Sequence, residues 1–561
     1  MTPEYKAEKE ASVSFLQGGG IWEINFVTVI APVAALLWAI FQTRQSFFKP
    51  YTVSAGLLDF LLHCGAILFA TTVYANGPQI LLGLLFLPAV AVLLQPKAGG
   101  AAQPTKILNR FTGGNGKPAG DEQSSGVDLD PLPVKPYITT YRGAMMIITC
   151  TSILAVDFQV FPRRFAKTEA FGTSLMDMGV GSFVFAAGII AARQTLKEEL
   201  SGSMSMASRL KNAFRHALPL AALGFVRFWS VKGLEYAEHV SEYGVHWNFF
   251  FTLALLGPVT AILQPLLRRL PSLGALTFFM ACAYECALYF TPDLKVYIIL
   301  SERKSGDWLS QNREGVFSFI GYLAIFIAGM GTGRTILSRD SGPEFLSDVK
   351  VGGEQADPLD EDEDWLADVL GGSDQNAVTG ATESTDTAPA PAAPQMMPPN
   401  PDPMGLIWIG KSKDDTIFLA KWTAIWFILC GWAMWRYGPH LFVSRRMANL
   451  SYIVWVCCFN TAQLLLFNVV ERVMFPNVYK AKDRATEKQR IRDATSRVMH
   501  AFNRNGLALF LLANLLTGAI NMGFQTWHMD DVSAMVVLVS YIAALCGVGL
   551  LLDHYDVSIK L

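Results

Sequence analysis

Long apolar runs, separated by short polar stretches, recur along most of the 561-residue chain. A helix crosses a bilayer with about twenty consecutive apolar residues, and about thirteen runs approach or meet that length. They cover residues 21–42, 54–76, 78–95, 137–158, 176–192, 213–231, 246–264, 272–290, 315–333, 416–436, 447–470, 501–524 and 533–552. The third and the sixth are the weakest. The pattern predicts an all-α polytopic membrane protein with about thirteen transmembrane helices.

Two long polar segments interrupt this series. Residues 96–136 are rich in Gly, Pro and Asp, and residues 337–404 combine an acidic block with a Pro/Ala tract. Such compositions cannot bury enough apolar surface to fold and are typical of extended linkers. We therefore expect a tail at 1–20, a nine-helix membrane portion at 21–336 that includes the loop 96–136, a disordered linker at 337–404, and a four-helix membrane portion at 405–561.

The composition agrees with a membrane location and argues against several other classes. Hydrophobic residues make up 52% of the chain and charged residues 16%, whereas soluble domains carry roughly 25% charged residues. The net charge of -2, without aromatic residues interleaved among basic ones, gives no reason to expect nucleic acid as a partner. The first twenty residues are polar, so we expect no removable signal peptide. Most of the eight cysteines lie in apolar runs, and the pairs Cys457–Cys458 and Cys282–Cys286 lack nearby histidine ligands, so we expect no metal site.

The distribution of Lys and Arg among the loops predicts the orientation. If the N-terminus is lumenal, the cytosolic loops receive the basic stretches 193–215 and 471–499, and the lumenal loops receive fewer basic residues. Because basic residues favour the cytosolic side, we expect a lumenal N-terminus, a cytosolic C-terminus and two cytosolic linkers. Three polar stretches then share the lumenal side, at 157–167, 232–248 and 293–314.

The connector between the fourth and fifth runs holds the first candidate chemistry. Asp157 and Lys167 flank Pro162, which rules out one continuous helix. A carboxylate at a membrane boundary needs a partner or a function. Acyl transfer to an alcohol needs a base for the hydroxyl proton and a positive group for the developing oxyanion. Asp157 could be that base, and Lys167 could orient it or stabilise charge. A structural ion pair between two helices is the alternative.

Neighbouring charged residues extend this hypothesis to lipid binding. Arg163 and Arg164 suit a lipid phosphate, because guanidinium groups match phosphate geometry. Basic residues also commonly anchor membrane proteins at the headgroup region, which is the competing interpretation. Asp177, just inside the fifth run, is a second candidate base.

A stretch rich in Glu and His follows on the same predicted side. Glu235, His239 and Glu242 fall at i, i+4 and i+7, which is one face of a helix. They could form a proton relay or a metal site, but His239 and His246 are seven residues apart, and a solvated polar face is more common. His216 lies near a membrane boundary. An intramembrane histidine is catalytic in the membrane-bound O-acyltransferases, although an interfacial role is more usual.

Three of these stretches resemble one known family. The segments DFQVFPRRFAKTEAFGTSLMDMGVGSFVF at 157–185, EYAEHVSEYGVHWNFFFTLALL at 235–256 and SERKSGDWLSQNREGVFSFIGYLAIFIAG at 301–329 are similar to signature regions of the inositol acyltransferases of GPI-anchor biosynthesis. That family includes the GPI-anchored wall transfer proteins of fungi and their animal class-W counterparts. The C-terminal runs FNTAQLLLFNVVERV and FLLANLLTGAIN also fit. The similarity spans nearly the whole chain apart from the N-terminus and the two linkers.

The resemblance implies a specific activity. It implies an endoplasmic reticulum membrane enzyme that transfers a fatty acyl chain, usually palmitoyl, from acyl-CoA to the inositol ring of glucosaminyl-phosphatidylinositol. The two residues regarded as catalytic in the family fall on Asp157 and Lys167. The expected partners are acyl-CoA as co-substrate, the glycolipid and the bilayer, without a cofactor. We predict substrate contacts in two of the signature stretches, from Arg163, Arg164, Asp177, Glu235, Glu238, His239, His246, Trp247 and Asn248.

Two other functional classes compete with an enzyme. A multi-pass lipid or solute transporter should show two halves with corresponding broken helices, which a division into nine and four helices does not offer. A scaffold subunit would need no charged lumenal connector, and substitution of Asp157 would leave its activity intact.

Overall fold

The computed structural model describes residues 3–94, 129–201, 205–233, 242–339, 414–438, 442–481 and 483–559. This part of the chain is helical, and its strand-like pairing is limited to one isolated bridge between Gly18 and Thr173. The helices are α1 (Pro3–Val13), α2 (Ile21–Gln45), α3 (Val53–Thr71), α4 (Pro78–Leu94), α5 (Pro136–Ala155), α6 (Leu175–Ser201), α7 (Met206–Gly233), α8 (Phe249–Arg269), α9 (Leu273–Phe290), α10 (Leu294–Ile299), α11 (Trp308–Gln311), α12 (Arg313–Ile336), α13 (Asp415–Tyr437), α14 (Leu450–Met474), α15 (Arg484–Asp493), α16 (Arg497–Arg504), α17 (Gly506–Gly523) and α18 (Asp531–His554). The predicted all-α polytopic class is confirmed.

The helices coincide with the apolar runs of the sequence. Each run falls on one helix, except that 501–524 is divided between α16 and α17. Within the described residues, eleven helices are long and apolar enough to cross a membrane. The two runs without such a helix are the third and the sixth. The third is the 17-residue α4, and the sixth is α7, whose apolar sequence is interrupted by Arg215, His216 and Arg227.

Proline and side-chain caps set the helix ends around the connectors. α5 ends at Ala155 and α6 begins at Leu175, and the connector between them, in which Pro162 rules out one continuous helix, contains only the short 3-10 turn Arg163–Phe165. Asn248 begins α8 and Asn449 begins α14, and the side chain of each accepts hydrogen bonds from backbone N–H groups of the first turn.

Helix α14 joins the two parts of the chain that flank the predicted linker 337–404. It contacts α2, α5, α6, α12 and α13. Asn460 of α14 accepts a hydrogen bond of 2.6 Å from the hydroxyl of Tyr141 in α5, and Gln463 donates one of 3.2 Å to Thr28 in α2. The helices before and after the linker therefore share one hydrophobic core. Residues 96–128 and 340–404 of the two predicted linkers lie outside the described residues.

Glycines allow α6 and α12 to cross closely. A Cβ on Gly188 would overlap the carbonyl oxygen of Phe326, and a Cβ on Gly329 would overlap that of Phe185. Small residues at such positions let the backbones of membrane helices approach each other. This crossing fixes α6, the helix that begins directly after the connector.

Several connecting segments meet at one end of the helices. The backbone N–H of Gly172 donates to the carbonyl of Val443 at 2.8 Å, and the side chain of Gln159 donates to the carbonyl of Trp527 at 2.9 Å. The segments at this end are 156–174, 242–248, 300–312, 442–449 and 524–530. They include the connector between α5 and α6, which the charge distribution predicts to be lumenal. The orientation of the protein in the membrane stays a prediction.

Candidate active site

Asp157 lies two residues after the end of α5 and is held by distant parts of the chain. Its Oδ1 is 2.9 Å from Nζ of Lys9 in α1. Its Oδ2 accepts a hydrogen bond of 2.8 Å from Nδ2 of Asn521 in α17. The side chain is 15% exposed. Because a carboxylate offers about four lone pairs, these two contacts leave Asp157 able to accept a further proton donor.

Arg163 turns back onto its own connector. Its guanidinium donates to the carbonyls of Val156 at 2.8 Å and Phe158 at 2.7 Å, and it lies 5.0 Å from the centre of the Trp527 ring. Burial lowers the pKa of Arg163 to about 10, against the opposing effect of Asp157. These contacts assign Arg163 to shaping the connector next to the candidate base.

Arg164 points away from its neighbour and ties the connector to the first helices. Its Nε is 2.5 Å from a carboxylate oxygen of Glu23 in α2. Its Nη2 donates to the side chain of Asn76, between α3 and α4, at 2.6 Å. The Arg164 side chain is 33% exposed, so part of it faces outward.

Lys167 and Asp177 belong to a second charged network, which is centred on Arg445. Nζ of Lys167 and Nη1 of Arg445 lie 2.7 Å and 3.0 Å from the same oxygen of Glu242. Nε of Arg445 is 2.6 Å from Oδ1 of Asp177. The other oxygen of Asp177 accepts hydrogen bonds from the backbone and hydroxyl of Thr168. The alternating charges compensate each other where little water is available.

The charge of Glu242 is stabilised by this network. Burial opposes the charged form, but Lys167 and Arg445 outweigh burial and hold the pKa of Glu242 well below its usual value. The Lys167 side chain is 41% exposed and that of Glu242 is 19% exposed. Lys167 thus presents a compensated positive charge at the open side of the network.

Asp157 and Lys167, predicted to act together, have different ionic partners. The cation on Asp157 is Lys9, and the anion on Lys167 is Glu242. Because neither side chain is the ionic partner of the other, their contacts do not support the hypothesis that Lys167 orients the Asp157 carboxylate. The hypothesis that Lys167 stabilises charge needs no such contact and stays a prediction. Asp177, the second candidate base, is fully buried with both oxygens engaged. Asp157 is the more accessible of the two carboxylates.

An apolar cleft opens between α2, α5, α6 and α14. The space between its walls, including the part that is open to solvent, is about 450 Å³. Met178, Gly179 and Phe459 form part of its wall, together with Thr149 of α5. Thr149 precedes Asp157 by eight residues, on the order of 12 Å at the rise of a helix. The cleft therefore runs along the two helices that flank the connector.

The residues at the start of α8 contact neighbouring segments and the first turn of the helix. Nε2 of His246 lies 3.0 Å from Oε1 of Gln311, and Nε1 of Trp247 donates to the hydroxyl of Thr252 at 2.9 Å. Asn248 caps the helix and also donates to a backbone carbonyl of α7 at 2.9 Å. The contacts of these three side chains hold the start of α8 in place.

Comparison with known proteins identifies the family. A sequence model described as GWT1 matches residues 5–552. This chain belongs to the GWT1 family. The relatives of this GWT1-family chain include GPI-anchored wall transfer protein 1 of Gibberella zeae, 45% identical over 568 residues that cover 100% of the chain and 99% of the relative. The protein of the same name from Aspergillus fumigatus is 44% identical over 566 residues, with 100% and 99% covered. That of Saccharomyces cerevisiae is 33% identical over 557 residues, with 99% of each covered.

Some candidate residues of this GWT1-family chain fall outside the described residues. They are Glu235, Glu238 and His239, and with them the proposed stripe that continues to Glu242. His216 lies within α7. In the part of the chain that the structure describes, no group of three His, Cys, Asp or Glu side chains is placed to hold a metal ion.

Two residues of the two networks escaped the sequence analysis, namely Lys9 and Arg445, and so did the neighbouring Arg446. Arg446 lies 3.3 Å from a carboxylate oxygen of the fully buried Glu314. A signal existed for the Arg pair, which directly precedes an apolar run on the predicted lumenal side. Lys9 lies in a polar tail without a recognisable pattern, and only the fold brings it to the GWT1-family signature region.

Proposed function

We propose that this chain is an acyl-CoA-dependent O-acyltransferase of GPI-anchor biosynthesis. It transfers a fatty acyl chain, palmitoyl in the first instance, to the inositol ring of glucosaminyl-phosphatidylinositol in the endoplasmic reticulum membrane. Membership of the GWT1 family supports a role in this pathway. The observation that carries the chemical proposal is the position of Asp157, a partly exposed carboxylate beyond the end of a helix that lines an apolar cleft.

Asp157 acts as the general base in the proposed reaction. Its carboxylate takes the proton of an inositol hydroxyl while the hydroxyl oxygen attacks the thioester carbonyl carbon. The tetrahedral intermediate then collapses, the C–S bond breaks, and the CoA thiolate leaves and takes up the proton from Asp157. A positioned base of this kind contributes about 10²- to 10⁴-fold to a rate.

Lys167 stabilises negative charge in this scheme. Its ammonium, 41% exposed, stands at the open side of the second network. The oxyanion that forms on the thioester carbonyl needs a positive group that is already in place, because fixed groups need no reorganisation during the reaction. The contact with Glu242 fixes Lys167 in this way.

The cleft holds the acyl chain in the same proposal. Its walls come from apolar stretches of α2, α5, α6 and α14, and an alkyl chain gains about 0.8 kcal/mol for each buried CH₂ group. Arg164 is the better placed of the two connector arginines for the lipid phosphate. It keeps an exposed portion, whereas the guanidinium of Arg163 donates to carbonyls of its own connector.

The test is acyl transfer by the purified protein in lipid nanodiscs. Radiolabelled palmitoyl-CoA is supplied with glucosaminyl-phosphatidylinositol or with phosphatidylinositol as the matched control. We expect labelled glycolipid and free CoA thiol in equal amounts, with a label that mild alkali releases, as from an ester. Thiol release without labelled lipid, or an alkali-stable amide on the glucosamine nitrogen, would contradict the proposal.

A further inference from the structure

The N-terminal helix α1 docks on the loop between α17 and α18. The hydroxyl of Tyr5 accepts a hydrogen bond of 3.0 Å from the backbone N–H of Trp527 and lies 3.4 Å from the hydroxyl of Thr526. On the exposed side of the helix, a carboxylate oxygen of Glu8 is 2.8 Å from Nε2 of His528. These contacts bring α1 next to the candidate catalytic carboxylate.

Lys9 is the residue of α1 that reaches Asp157. Its Nζ lies 2.9 Å from Oδ1 of Asp157, 2.9 Å from Oδ1 of Asn521 and 3.3 Å from the hydroxyl of Thr526. A lysine ammonium has three N–H donors, and each has an acceptor here. The Lys9 side chain is 20% exposed. The three acceptors therefore fix the ammonium at one place beside Asp157.

Asn521 completes the arrangement on the other side of the carboxylate. Its Nδ2 donates to Oδ2 of Asp157 at 2.8 Å. Its Oδ1 accepts from Lys9 and, at 3.1 Å, from the hydroxyl of Thr526. Lys9 and Asn521 thus hold one carboxylate oxygen each, and together they define the plane of the Asp157 carboxylate. Each oxygen retains a lone pair for the proton of a substrate hydroxyl.

We propose that Lys9 is a positioning residue for acyl transfer, which acts by orienting the Asp157 carboxylate. This inference rests on the proposed function, in which Asp157 is the general base. It assigns to α1 the orienting role that the sequence suggested for Lys167. A misplacement of about 1 Å in a reacting group can reduce a rate by about 10²-fold. Loss of the contact should therefore reduce kcat and leave the binding of acyl-CoA unchanged.

The experiment compares four single variants of the full-length protein in nanodiscs, together with the double variant of Lys9→Met and Asp157→Asn. Lys9→Met removes the ammonium and keeps most of the length of the side chain, whereas Lys9→Arg keeps the charge. Glu8→Gln is the matched control, because it alters a neighbouring contact of α1 with the same loop without touching Asp157. Asp157→Asn reports whether the proposed base is needed. For each variant, kcat, KM for palmitoyl-CoA and the midpoint of thermal unfolding are measured.

We expect Lys9→Met to lower kcat by about 10- to 100-fold, with KM for palmitoyl-CoA within about twofold of wild type. Lys9→Arg should recover most of the lost kcat, and Glu8→Gln should behave like wild type. In a double-mutant cycle, Lys9→Met should cost less thermal stability in the Asp157→Asn background than alone, because the two side chains are in direct contact.

Different results would overturn different parts of the account. If Asp157→Asn is inactive but Lys9→Met keeps a wild-type kcat, the role of Lys9 is wrong and the proposed function stands. If Glu8→Gln loses as much kcat as Lys9→Met, the role of Lys9 is only to dock α1, and the inference is also wrong. If Asp157→Asn keeps a wild-type rate, the proposed base fails, and the inference fails with it.

Discussion

At the scale of single residues, Arg445 determines how charge is compensated in the second network. It lies between Asp177 and Glu242, at 2.6 Å and 3.0 Å, and it is 3% exposed. Removing one partner of a buried ion pair leaves an uncompensated charge, at a cost of about 3–5 kcal/mol. Arg445 thereby joins the start of α6, the segment before α8 and the segment before α14, and it keeps Lys167 and its carboxylate partner in place.

The low pKa of Glu242 leads to a prediction about stability and pH. A carboxyl whose pKa is lowered by folding stabilises the protein above its unfolded pKa, about 4.3, and this contribution is lost as the pH falls toward the folded value. We expect Glu242→Gln to lower the midpoint of thermal unfolding at neutral pH. The difference from wild type should shrink as the pH falls below about 4.3. Thermal unfolding in detergent across this range measures it, and a difference independent of pH would count against the network.

The chemistry of the connector was predictable to different degrees. Asp157, Lys167 and Asp177 were open to sequence reasoning, because charged residues at the ends of apolar runs are rare and need an explanation. Their pairing with residues far away in the sequence was not. Lys9 and Asn521 are separated by 512 positions, and Arg445 and Glu242 by 203. Such pairs form only when the helices pack, and no local periodicity encodes them.

At the scale of helices, the crossing of α6 and α12 holds in place α6, whose first turn carries Asp177 of the second network. The apolar runs located both helices, because hydrophobicity is a local signal, although α6 continues nine residues beyond its run, to Ser201. Their close approach was not predictable, since the glycine-rich run at 329–334 indicates only small side chains. In the structure Gly329 and Gly333 face α6, and a Cβ on Gly333 would overlap the backbone of Ile189, whereas Gly331 faces Leu273 of α9.

This crossing predicts a large effect from one methyl group. Gly329→Ala should destabilise the protein by about 1–3 kcal/mol, because the added Cβ overlaps the carbonyl oxygen of Phe185 and forces the helices apart. Gly518→Ala is the matched control, because a Cβ at that position in α17 meets open space. Thermal unfolding in detergent distinguishes the two variants. Equal midpoints would show that the crossing is not tight.

The wall of the cleft predicts a change in acyl-chain preference. A Cβ at Gly179 meets no atom within 4 Å, so we expect the side chain of Gly179→Leu to extend into the cleft. Less of the chain can then be buried, at about 0.8 kcal/mol for each CH₂ group. We expect the ratio of rates with lauroyl-CoA and palmitoyl-CoA to rise. Gly547→Leu, which also extends into open space from α18, should keep the wild-type ratio. An unchanged ratio in Gly179→Leu would place the acyl chain elsewhere.

At the scale of the whole molecule, the chain forms one helical body from two sequence segments. The predicted division into nine and four helices describes their order along the chain. In the structure, the helices of the two segments pack together. α14 stands against helices of the first segment, and Lys135 before α5 lies 3.3 Å from Asp415 at the start of α13. The site needs both segments, because Asn521 and Arg445 come from the second, and Asp157 and Lys167 from the first.

This organisation predicts that a divided chain can assemble. When the protein is expressed as two fragments separated within the predicted linker 337–404, we expect the fragments to copurify and to recover transfer activity. The shared core supplies the contacts between them. Copurification through a tag on one fragment measures the assembly. Two fragments that purify separately as stable proteins would contradict the single core.

The measurement that tests the central claim most directly is the initial rate of palmitoyl transfer from palmitoyl-CoA to glucosaminyl-phosphatidylinositol by wild type and Asp157→Asn. Asp293→Asn is the matched control, because Asp293 is exposed and has a positive φ that asparagine also adopts. We predict transfer by wild type and Asp293→Asn at equal rates. Asp157→Asn should be slower by about 10²-fold or more, with unchanged folding. A near-wild-type rate from Asp157→Asn, or no transfer by wild type, would contradict the account.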